Sequence, residues 1–91
     1  MNTTATIQTV KARRYMKAFV NHFSRKVTAV YTNDSGYIEF GFGRCDIQAN
    51  DDTLTFQATS NDADNLNRLQ NVISSHLARF AQNELPDLTW V

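Results

Sequence analysis

The stretch DADNLNRLQNVISSHLARFAQ, from Asp62 to Gln82, decides how this chain folds. Leu66, Leu69, Ile73, Leu77 and Phe80 recur at spacings of three and four, which places them on one stripe of an α-helix. Asn61 stands where an N-cap belongs. Asp62 and Asp64 fall in the first turn, where negative charge suits the helix dipole. A helix with a single apolar stripe must bury it against another element, and the residues upstream have to supply that surface.

They do so as short alternating segments. Thr3 to Thr9 reads as a strand at a sheet edge, with Ala5 and Ile7 on one side. Thr9 is placed to cap a first helix from about Lys11 to Lys26, whose stripe is Tyr15, Met16, Phe19 and Phe23, extended by Ala12. A strand over Val27 to Asn33 comes next. Asn33-Asp34-Ser35-Gly36 is a turn signal, with Gly36 able to supply a positive φ. Tyr37 to Phe42 puts Ile38, Phe40 and Phe42 inward and Tyr37 and Glu39 outward. After Gly43, Arg44 to Ala49 turns Cys45, Ile47 and Ala49 inward and Arg44, Asp46 and Gln48 outward. Asn50-Asp51-Asp52 makes a third turn, and Thr53 to Thr59 turns Leu54, Phe56 and Ala58 inward. Leu85-Pro86-Asp87 breaks the long helix. Leu88 to Val91 is a short last strand or a docked tail.

The expected architecture is therefore one α+β domain over residues 1–91, in the order β-α-β-β-β-β-α with a possible final strand. Short turns favour antiparallel neighbours, and one apolar face per strand puts both helices on the same face of the sheet. This order resembles half of the TATA-binding-protein fold, a likeness that carries no function with it. The 91 residues are 42% hydrophobic, enough for one compact core. Nine basic and nine acidic residues cancel, so bulk charge argues for neither nucleic acid nor a membrane. The single cysteine offers no internal disulfide, no apolar run approaches the ~20 residues of a membrane span, and no signal peptide is visible. A cytoplasmic protein is expected.

Three groups of residues can carry chemistry. His22 and His76 each lie about 60° from the centre of their helix stripe, and Cys45 points to the face those helices cover. Converging there, they would suit zinc, iron or haem, or a thiol nucleophile with its base. The alternative is a small core thiol and two half-buried imidazoles, and no CxxC, HxxxH or HxxE spacing argues against it. The second group is Lys11, Arg13, Arg14 and Lys17. The first helix concentrates six of the nine basic residues and no acidic one. A solvated face explains such a run, and so does an anion, a nucleic acid or an acidic partner at a helix N-terminus. Scarce exposed aromatics weigh against nucleic acid. The third group is Tyr37, Glu39 and Arg44 on the outer sheet face, where Glu39 and Arg44 can pair across strands. Gly41 and Gly43 lie between strands and make no phosphate loop. Adjacent Asp51 and Asp52 are turn residues.

Arg14-Tyr15, His22-Phe23, Lys26, Tyr37-Ile38-Glu39-Phe40, Gly43-Arg44-Cys45, Ala49-Asn50-Asp51-Asp52, Leu54, His76-Leu77-Ala78-Arg79-Phe80-Ala81, Glu84 and Trp90 together resemble a family of small bacterial proteins of unknown function. Its members are often encoded beside, or fused to, siderophore-interacting flavoprotein reductases. The resemblance implies iron or siderophore handling with a flavin reductase as partner. Because a large enclosed cavity would compete with the small core for the same side chains, an accessory or binding role is expected and not an enzyme on its own. Arg25 stands where the family pattern often has a second histidine, and Asn83 where it often has a basic residue. Phe80 and Trp90 are expected to seal the core, and pairing of the wet sheet face with a second copy would give a homodimer.

Overall fold

The computed structural model describes residues 1–81, 85–86 and 88–91. In chain order they form β1 (Asn2–Gln8), α1 (Ala12–Phe23), β2 (Thr28–Tyr31), β3 (Ser35–Phe40), β4 (Gly43–Ala49), β5 (Thr53–Thr59) and α2 (Ala63–Ala81). The sheet order is β1-β5-β4-β3-β2, with every neighbouring pair antiparallel. β1 and β2 thus occupy opposite edges, and α1 carries the chain from one to the other. Both helices pack on one face: α1 contacts β2 through β5, and α2 contacts β4 and β5. The expected α+β order and the one-sided helix layer are both present.

The alternation in the sequence explains the core. Ala5, Ile7, Ile38, Cys45, Ile47, Ala49, Leu54, Phe56 and Ala58 point under the helices and are all buried. From α1 they meet Ala12, Met16, Phe19, Val20 and Phe23; from α2, Leu69, Ile73 and Leu77. Val20, absent from the expected stripe, is buried, while Tyr15 is only half-buried. Phe19 is the pivot. Its ring meets Phe23 and Phe56 edge-on at 5.2 and 5.6 Å, geometries that aromatic quadrupoles favour.

Several boundaries differ from expectation, for local reasons. The cap of α2 is Asp62, not Asn61: the Asn65 N–H donates to Asp62 Oδ1 at 2.8 Å. The first helix stops at Phe23 instead of Lys26, because the N–H groups of Lys26 and Val27 both fold back onto the Phe23 carbonyl. Thr9 accepts from the Lys11 N–H, but Lys11 itself is the N-cap residue and no side chain caps the helix. The hairpin turns fall at other residues than expected. Thr32 N–H donates to the Ser35 carbonyl, and Phe40 pairs with Gly43, so each loop is two residues long. Gly36 consequently lies inside β3 opposite Tyr31, with φ outside the left-handed region. Phe42 lies in a loop and not in β3. At Gly43 a Cβ would stand 2.8 Å from the Thr59 carbonyl oxygen and 2.9 Å from Leu69 Cδ2, so the bare backbone lets α2 settle onto the sheet.

The C-terminal tail docks. Val91 exchanges two backbone hydrogen bonds with Thr4, at 2.9 and 3.0 Å, and covers part of the β1 edge. Trp90 packs against the core, and its indole N–H donates to Ser74 Oγ. Phe80, expected to seal the core, is instead 37% exposed. Gln82, where the long helix was expected to end, and Asp87 of the break lie outside the described residues, as do Asn83 and Glu84.

Candidate functional site

Among the described residues, each face of the sheet carries a hollow lined by polar side chains. The bare face holds the first. The tight β3–β4 loop sets Glu39 directly opposite Arg44 and Tyr37 opposite Asp46. The Arg44 guanidinium donates to Glu39 Oε1 at 2.8 Å and to Asp46 Oδ1 at 3.0 Å, and lies 4.1 Å over the Tyr37 ring. Asp46 foremost raises the pKa of this guanidinium, desolvation opposes it, and Glu39 adds a smaller push in the same direction as Asp46. The expected Glu39–Arg44 pair is present, and Asp46 and the ring of Tyr37 complete a clamp that fixes the arginine. Around it an open hollow of about 540 Å³ runs across the sheet, bounded by Thr4, Thr55 and Gln57 on one side and by Val30, Tyr31 and Thr32 on the other.

The second place lies on the helix side, in a cleft of about 190 Å³ lined by His22, His76, Arg79 and Phe80. His22 is the penultimate residue of α1 and His76 lies in the later part of α2. Their rings stand 5.4 Å apart, centroid to centroid, tilted by 51°. Phe80 meets His22 edge-on at 5.2 Å, and Phe23 lies 4.9 Å from the His76 ring. His76 Nδ1 is 2.7 Å from the Val72 carbonyl oxygen. A carbonyl can only accept, so Nδ1 carries the proton and Nε2 of the neutral ring keeps the free lone pair.

Cys45 does not join them. It is fully buried in β4, registered between Ile38 and Ala58, and does not line the cleft. Burial, and secondarily the charge of Asp46, push its thiol well above the usual range, so the nucleophilic thiolate is suppressed. Among the described residues no group of three or more His, Cys, Asp or Glu is arranged to hold one metal ion. Of the three residues expected to converge, His22 and His76 are the two whose rings meet. At about 190 Å³ the cleft is also smaller than the roughly 300–1,000 Å³ of ordinary ligand cavities.

The basic run on α1 separates into two behaviours. Arg13 donates from Nε to Asp34 Oδ1 at 2.9 Å and from Nη1 to Asp51 Oδ1 at 2.8 Å, tying the β2–β3 and β4–β5 turns to the helix. The chain's own carboxylates therefore occupy the position expected of a foreign anion, and they raise the Arg13 pKa, Asp51 most. Lys11, Arg14 and Lys17 form no salt bridge among the described residues. Sequence reasoning missed Arg79 and Phe80 as partners of the histidines. The signal was present: they follow His76 by three and four residues, one helical turn.

No helix among the described residues is long and apolar enough to cross a membrane. No curated protein matches the chain. Among solved structures, the NMR structure of PA4090 from Pseudomonas aeruginosa is similar, with 31% sequence identity and a TM-score of 0.82, covering 99% of this chain and 94% of that one. Residues 4–91 match a family described as uncharacterised proteins conserved in bacteria, DUF2218, and the chain belongs to that family.

Proposed function

We propose that the domain is a small cytoplasmic binding protein that acts through a protein partner docked on the bare sheet face, in bacterial iron and siderophore utilisation. The observation that carries this reading is the Arg44 clamp at the centre of an uncovered polar hollow. Arginine and tyrosine are the residue types that most often dominate binding energy at interfaces. An arginine already held by two carboxylates and a ring loses little freedom when a partner arrives. One cation against two carboxylates leaves the patch with an excess negative charge, which suits a partner surface offering a basic residue. The resemblance to proteins encoded beside siderophore-interacting flavin reductases makes such a reductase the partner to test.

The test is a calorimetric titration of the untagged domain with the purified neighbouring reductase. Saturable binding is expected, weakened at least about tenfold by Tyr37→Ala and by Arg44→Ala. No binding at micromolar concentrations of both proteins overturns the reading. Sedimentation distinguishes a further occupant: a dimer dissolved by the same substitutions would make this face the contact between two copies.

A further inference from the structure

We propose that His22 and His76 form an open two-imidazole site for a divalent transition-metal ion of the kind imidazole suits, such as zinc. The spacing of the rings is the first reason. With metal–nitrogen bonds of about 2.0–2.1 Å, two imidazoles on one tetrahedral ion have ring centroids about 5 Å apart. The rings of His22 and His76 are 5.4 Å apart, centroid to centroid, with their planes inclined at 51°, a separation that one shared ion can span. The second reason is the hydrogen bond from His76 Nδ1 to the Val72 carbonyl. It fixes the tautomer and orients the ring with Nε2 available, as metal-binding histidines are commonly held by a carbonyl or carboxylate. His22 makes no hydrogen bond among the described residues, so its basic nitrogen is uncommitted. It also lies in the last turn of α1, where the helix dipole favours a cation.

Two ligands leave two tetrahedral positions for water or a small oxygen donor entering through the open cleft. Arg79 lines the same cleft and works against a cation there. That opposition separates a metal from the competing occupant, an anion, because removal of Arg79 must strengthen one and weaken the other. Cys45 has no part in this site.

The test is a titration of the untagged protein with zinc sulfate, followed by NMR of the imidazole resonances and by calorimetry. One zinc per chain is expected, with shifts centred on His22 and His76. His22→Ala and His76→Ala should each weaken binding at least tenfold, Arg79→Ala should tighten it a few-fold, and Cys45→Ala should leave it unchanged. Amide dispersion reports folding of each variant. His22 is exposed, so its substitution remains decisive even if His76→Ala unfolds the chain. No imidazole shift at millimolar zinc overturns the proposal, as does wild-type affinity in His22→Ala, or loss of binding in Arg79→Ala.

Discussion

The two faces of this sheet solve opposite problems. The covered face is held by shape: Phe19, Phe56, Met16, Ile38, Leu54, Leu69 and Ile73 are almost wholly removed from water. The bare face is held by pairing, with Arg44 set between Glu39, Asp46 and Tyr37. Packing of the first kind tolerates little change, because a cavity cannot be refilled. Exposed ion pairs contribute little to stability, so residues on the second face are available for binding. At the histidine cleft, on the rim of the helix layer, the covered side also presents polar groups, His22, His76 and Arg79.

The contrast is sharpest at its largest effect. Phe19→Ala should cost about 3–5 kcal/mol in urea unfolding, since Phe19 is 0% exposed and central to the aromatic cluster. A loss under ~1 kcal/mol would mean that the helix layer is not packed as described. Gly43→Ala should cost about 1–3 kcal/mol by the same measurement, because its Cβ would press on backbone at Thr59 and on Leu69. Cys45 gives a pH signature. Its thiol pKa is raised by burial, so the unfolded chain deprotonates near pH 8.5 while the native chain keeps its proton. The contribution is therefore fully present below that pH and is lost as pH rises, at up to about 1.4 kcal/mol per pH unit. Cys45→Ala should flatten the slope, and thiol reagents should label the native wild type only as fast as it opens. At the small end, Tyr37→Ala should leave the urea midpoint almost unchanged while weakening partner binding. A large loss of stability would show that the bare face is structural after all.

The elements were legible because their signals are local. Spacings of three and four along α2 and alternation along β3, β4 and β5 are direct images of helix and strand geometry. The Glu39–Arg44 pair was legible for the same reason: both alternate outward on strands joined by a short loop. Phe80 misled because stripe membership says which way a side chain leaves the helix, not whether anything covers it there. Strand ends misled by two residues because the loop lengths depend on which carbonyl Thr32 finds, and composition alone does not say.

The sequence by itself determined the kinds of elements, their order, the inward and outward faces of the central strands, and the placement of two helices on one side. Hydrophobic periodicity is enough for that, since an apolar stripe has only one way to leave water. Tertiary structure alone decided which distant polar groups meet. Asp34 and Asp51 lie 21 and 38 positions from the Arg13 they bind. His22 meets His76 because α1 and α2 end side by side, and Cys45 stays apart because β4 carries it beneath them into the core. Those encounters depend on the placement of whole helices, and no short spacing along the chain records it.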